Sequence, residues 1–256
     1  MKPCIFAVIL AACTTTTGGD RFEFPLGVAG PEDFAVGQPF ATNFADEVTL
    51  TKATVHVGGV YLNRSRSLSG AQAQACVMQG IYDAEMTDGG DIDALSPTPQ
   101  WRTARATAGQ AVTAEVWLNG SDVNALDDET LIVDLAGTAS REGQQYPFAA
   151  QIHIGKNRLV PPSDTAQPGM NPPCKLRIVS PIAVDFDLAV GGKLLVRVDP
   201  RKWLQNIDFH QLPPPQGAFG PYHIDDDDNT TAGIHLFNDV RARQGVWTFS
   251  WQPAGK

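Results

Sequence analysis

The sequence lacks the features that would assign it to most functional classes. Basic residues are scarce: 19 Lys and Arg stand against 28 Asp and Glu, giving a net charge of −9 and a pI near 4.9. A chain this acidic gains no affinity for nucleic acid from counterion release, which excludes that class of partner. Long apolar runs are missing too. The stretch Ile5 to Ala12 is far shorter than the roughly 20 residues a membrane-spanning helix needs, and no later window approaches that length. No HExxH, P-loop or GxGxxG motif occurs, and Gly120-Ser121-Asp122 lacks the second glycine of a GxSxG elbow. No internal period of 20–50 residues marks a solenoid or propeller. Any catalytic set would have to be assembled by the fold alone, as in an envelope hydrolase whose triad members meet only in space.

Cysteine is rare, with four in 256 residues. Cys4 and Cys13 fall in the N-terminal stretch MKPCIFAVILAAC, where Lys2 precedes the short apolar run. These are the proportions of an export signal. Its end, Leu10-Ala11-Ala12-Cys13, resembles the bacterial lipoprotein signal, in which small residues precede a cysteine that is diacylated and becomes the mature N-terminus. The resemblance implies a signal peptide over 1–12, lipidation of Cys13 and a flexible tether over 13–20. Two acyl chains suffice for stable anchoring. Thr14, a residue other than Asp after the cysteine, implies sorting to the outer membrane by the enterobacterial pattern. The expected partner of this end is therefore the membrane itself. Cys76 and Cys174 remain, and in an exported chain they most simply form one disulfide. It would close a loop of about 100 residues, worth about 4 kcal/mol by chain entropy. The alternative is a two-cysteine metal site, for which neither residue has a CxxC partner or a nearby His.

What the sequence does have is period-two alternation and many turn residues. Gly and Pro together make about a sixth of the chain, which fits a turn-rich, strand-rich fold. Residues 48–62 read as one strand bent at Gly58-Gly59, with Val55, Val57 and Tyr61 on one side and Lys52, Thr54 and His56 on the other. Further strands are expected at 111–118, 130–139, 146–154, 182–188, 193–199 and 246–251. Their inward residues include Phe148, Ile152, Ile154, Leu194, Val196 and Val198. Asp199 and Pro200 open a short helix through Ile207, and Asn229-Thr230-Thr231 cap another near 232–242, where the run Ile234-His235-Leu236-Phe237 also fits a strand. The expected fold is all-β: an antiparallel β-sandwich of about eight to ten strands, one or two short helices and two long Pro-rich loops, 155–174 and 211–231, forming one domain over 21–256.

The most unusual local feature is the run Asp225-Asp226-Asp227-Asp228. Four adjacent carboxylates repel one another unless solvated or neutralised by a cation, and Ca²⁺ takes six to eight such oxygen ligands. The EF-hand pattern is absent, since Thr231 and Phe237 stand where its Gly and Glu belong. His210, His223 and His235 flank the run, and imidazole suits copper and zinc. Their spacing fits no metal motif, so only the fold could gather them. Asp88, Asp91 and Asp93 form a second acidic turn. Among five tryptophans, Trp101, which follows Pro97 and Pro99, is the candidate for an exposed sugar-stacking ring, whereas Trp247 and Trp251 share a strand face with Phe249 and belong to the core or the sandwich edge.

The signal, VTLTKATVHVGGVYLN and LLVRVDPRKWLQNIDF together resemble uncharacterised proteobacterial lipoproteins with a β-sandwich domain. Residues 48–62 and 193–209 are also loosely similar to the methanobactin-associated periplasmic copper-binding proteins. That resemblance implies metal handling without assigning any ligand position. The first expectation is a lipid-anchored envelope protein with a non-enzymatic binding or structural role. The second is a copper- or calcium-binding lipoprotein using residues 210–235, and the third is an envelope hydrolase whose site the fold assembles.

Overall fold

Alternating β-branched and aromatic residues build strands along most of the chain. The structure, a computed structural model, describes residues 21–65, 82–120, 129–154, 177–215, 220–225 and 230–255. The signal and tether (1–20), Cys13, Cys76, Cys174, the loop 155–174 and Asp226, Asp227 and Asp228 lie outside the described residues.

Fourteen strands are present among the described residues: β1 (Arg21–Ala29), β2 (Pro39–Ala41), β3 (Glu47–Val57), β4 (Gly59–Asn63), β5 (Ala84–Met86), β6 (Gly90–Asp93), β7 (Gln100–Thr107), β8 (Gly109–Trp117), β9 (Val133–Arg141), β10 (Gln144–Ile152), β11 (Ile178–Leu188), β12 (Lys193–Val198), β13 (Tyr222–Asp225) and β14 (Trp247–Gln252). The fold is all-β, with more strands than the expected eight to ten. An eight-stranded sheet runs β11-β8-β4-β5-β7-β1-β12-β14, and a second runs β13-β10-β9-β3-β2 with β6 also paired to β3. Neither sheet is purely antiparallel. β1 pairs β12 and β10 pairs β13 in parallel, and both pairs are joined by the long connections that parallel pairing requires. The eight-stranded sheet also curls on itself: Phe186 of β11 stacks on Trp251 of β14, its opposite edge, at 6.2 Å and 12°. One cluster of buried side chains draws on both sheets, with Val28, Leu194 and Val196 from the first and Leu50, Val55 and Leu135 from the second.

Both expected helical segments occur. Pro200–Leu204 is a 3-10 segment whose N-cap, Asp199, accepts a hydrogen bond from the Arg201 amide. The helix α1 (Thr231–Val240) is capped by Thr230, whose hydroxyl accepts from the Gly233 amide at 3.1 Å. Leu236, Phe237 and Val240 bury its inner face. A second 3-10 turn, Phe209–Gln211, carries His210.

Two expectations are corrected. The stretch 211–231 is not loop throughout: Tyr222–Asp225 adds a strand to β10, and the alternation Tyr222/Ile224 buries Ile224. Residues 48–62 are not one strand in one sheet. β3 belongs to the second sheet and β4 to the first, and the chain crosses between them at Gly58. A Cβ on Gly58 would sit 2.2 Å from the Asn119 carbonyl oxygen, and one on Gly89 would sit 2.5 Å from the Val57 carbonyl oxygen. Gly89 lies between β5 and β6, and Asn119 between β8 and β9, which are also pairs split between the sheets. Three crossings therefore meet backbone to backbone at one corner, and glycine permits the approach. Beyond the crossing the alternation restarts. Val60 and Leu62 turn inward, whereas Tyr61 joins Trp117, Ile178 and Tyr82 in a separate cluster.

Candidate functional site

The 208–235 region is built on two short capped elements. Asp208 accepts from the His210 amide at 3.2 Å, from Gln211 Nε2 at 2.8 Å and from Arg141 Nη2 at 2.7 Å. His210 itself is exposed, with Nδ1 2.9 Å from the Tyr146 hydroxyl. His223 is exposed on β13 beside Asp225, also exposed, at the strand's end. His235 is half-buried on α1, its Nδ1 hydrogen-bonded to the Asn206 carbonyl. The three histidines line three different clefts. That of His235, about 360 Å³, also includes Phe44, Leu212 and Ala232. His223 and Asp225 line a neighbouring cleft that shares Leu212, Pro213, Thr230 and Ala232 with it. His210 stands with Arg141 and Tyr146 in a third. Among the described residues, no three His, Cys, Asp or Glu side chains are gathered as a metal site.

Under this region lies a charge cluster that sequence reading missed. Asp46 is fully buried. Its Oδ1 accepts no hydrogen bond and lies 3.4 Å from Arg141 Nε. Burial pushes the Asp46 carboxyl up, while Arg141, the Phe209 amide and the Thr42 hydroxyl act in the opposite direction. Arg141 is held charged chiefly by its hydrogen bond to Asp208. Asp239, pushed up by burial, accepts from Asn206 Nδ2 at 2.9 Å, and that contact opposes the shift. The 3-10 turn, β9 and the turn before β3 are thus tied together electrostatically beneath the histidines.

The second acidic turn divides its carboxylates. Asp91 pairs with His56 Nδ1 at 2.7 Å, and Asp93 accepts from the Leu95 amide at 2.9 Å. Asp88 lines a separate, open cleft of about 780 Å³ on the eight-stranded sheet, with Glu23, Arg102, Thr103 and Trp101. Trp101 is 44% exposed, as its sequence context suggests. Trp247 is buried and Trp251 half-buried, packed on Phe24 at 5.2 Å. What sequence reading missed is Gly27, which stands opposite Trp101 in the β1–β7 register. A Cβ there would lie 2.8 Å from the indole Cε3 and Cζ3.

Comparison with known proteins finds no matching family model, no matching curated protein and no matching solved structure.

Proposed function

We propose that this chain is a lipid-anchored protein of the bacterial cell envelope, sorted to the outer membrane, with a non-enzymatic binding role. The observation that carries the reading is Leu10-Ala11-Ala12-Cys13 directly behind a short apolar run and only seven residues before β1. Seven residues span at most about 25 Å, so the anchor would hold the domain close to the bilayer surface. The domain is a sandwich-like scaffold whose loops and outer sheet face carry the binding surfaces. Its support is the single cluster of buried side chains shared by the two sheets.

Intact mass of the detergent-extracted protein should correspond to a chain beginning at Cys13 with acyl additions. Cys13→Ala should remove the additions and move the protein from the membrane pellet to the soluble fraction. A mature chain that begins elsewhere and carries no lipid defeats the reading. A second reading, metal binding through 210–235, draws on the adjoining clefts of His223, Asp225 and His235. Copper co-purifying at one ion per chain and lost in a His223→Ala/His235→Ala variant would establish it, as would calcium lost in an Asp225→Asn variant, since imidazole holds copper and oxygen ligands hold calcium.

A further inference from the structure

We propose that the outer face of the eight-stranded sheet at Trp101 is a carbohydrate-binding site, with the indole stacking on the C–H face of a pyranose ring and the adjoining cleft receiving its hydroxyls. The proposal does not rest on lipidation.

The platform is built by register. Trp101 faces Gly27 across the β1–β7 pair, and any side chain at Gly27 would meet the ring at 2.8 Å. The Pro99 Cβ closes on the same position, 2.9 Å from where a Gly27 Cβ would be. The indole therefore lies across the sheet with one face against backbone, and it remains 44% exposed. Lys193 Nζ lies over the ring, 5.7 Å from its centroid and within cation–π range, so a stacking sugar displaces this flexible side chain toward the rim, where its ammonium becomes a hydrogen-bond donor.

The cleft is built by a short strand. β5 pairs with β7 only at Ala84 and Glu85, opposite Ala106 and Arg105. The chain then leaves through Asp88 and Gly89 toward the second sheet, which leaves a notch beside Arg102 and Thr103. Two carboxylates (Glu23 and Asp88), one guanidinium and one hydroxyl line the notch next to the indole. A flat apolar face beside a mixed set of donors and acceptors matches a ring with C–H bonds on one face and hydroxyls at its edge. An anion would meet Glu23 and Asp88, and a cation would meet Arg102 and Lys193. A neutral polyhydroxylated ring satisfies both signs.

An aromatic ring covering a cross-strand glycine also stabilises a sheet by itself, so the test must read binding apart from stability. Trp117, Trp203 and Trp247 are buried, which makes Trp101 the most exposed emitter. Titrating the mature protein with cellotetraose, tetra-N-acetylchitotetraose and maltotetraose, each to about 10 mM, should give a saturable change in tryptophan emission with at least one, at the millimolar affinity of a shallow site. Asp88→Asn and Thr103→Ala, which leave the indole packing in place, should each weaken binding about threefold or more. Trp101→Ala should weaken it at least tenfold, read by calorimetry because the reporter is lost, and Trp101→Phe should retain part of it. The proposal is overturned if no oligosaccharide binds, or if Trp101→Ala binds as tightly as the parent. Should Trp101→Ala not fold, unchanged binding in both Asp88→Asn and Thr103→Ala overturns it.

Discussion

Gly58→Ala is expected to lower the melting temperature by about 10 °C, or to prevent folding outright. The added methyl would lie 2.2 Å from the Asn119 carbonyl oxygen and 2.5 Å from its side-chain oxygen. Neither neighbour is free to yield. The Gly58 amide donates to the Trp117 carbonyl at 2.8 Å, which fixes this crossing to the end of β8, and Asn119 is 2% exposed. Overpacking costs about 1–3 kcal/mol where side chains can shift, and more where main chain must. About 3 kcal/mol in a chain of this size corresponds to roughly 6–12 °C. Gly89→Ala should behave similarly, since its Cβ would meet the Val57 carbonyl and the Gly58 Cα. Because the nearer contact is main chain, adding Asn119→Ala should not restore Gly58→Ala. Thermal unfolding followed by near-UV circular dichroism checks all three. Unchanged midpoints would show that the crossings do not pack backbone to backbone.

The same corner underlies the proposed carbohydrate cleft. Gly89 forms part of its wall, and Asp88 reaches the notch because the crossing from β5 to β6 is short and tightly held. A site formed where strands change sheets inherits the rigidity of that junction. Binding to a shallow surface gains from such rigidity, because little is spent on ordering loops.

Individual strands were legible in the sequence because period-two alternation is local. Phe148, Ile152 and Ile154 are buried as expected, and so are Leu194, Val196 and Val198. The arrangement of the strands was not legible, because pairing partners lie far apart in the chain. Leu26 meets Leu194 in parallel, and Phe148 meets Tyr222. Tyr61 falls on the wrong face when Gly58 is read as a local bend, because Gly58 is a change of sheet, after which the inward positions shift. Trp101 could be picked out as an exposed ring from the prolines before it. Gly27, its counterpart, could not, since nothing near residue 27 records a partner at 101. The histidines illustrate the limit from the other side. They share a stretch of sequence, yet a 3-10 turn, an edge strand and a helix carry them to three clefts. Asp46 reads as an ordinary turn acid after Ala45, and only the packing of Phe209 and Arg141 around it makes it a buried charge.

That buried charge gives the second large effect. Arg141→Ala should destabilise the protein by several degrees at neutral pH, and acid should relieve the loss. Arg141 bridges Asp46 at 3.4 Å and Asp208 at 2.7 Å. Removing it leaves Asp208 its bonds to the His210 amide and Gln211. Asp46, with no exposed surface, loses its counter-charge, and one partner removed from a buried pair is the costly case. Burial already places the Asp46 carboxyl above the ordinary carboxylate range in the parent. The folded state therefore binds this proton more tightly than the unfolded chain does. The group's contribution to stability is complete below the unfolded pKa of about 3.9 and declines as pH rises toward the folded value. Loss of Arg141 removes the strongest influence holding that folded value down, so the declining window extends upward and the cost deepens toward neutral pH. The gap between parent and Arg141→Ala melting temperatures should thus be widest near pH 7.5 and narrow by about pH 5. Asp46→Asn, which keeps the shape and removes the charge, should recover most of the loss in the Arg141→Ala background and flatten its pH dependence. A gap that is constant across this range, or that widens in acid, would place the destabilisation in lost Arg141 packing instead of an uncompensated Asp46 carboxylate.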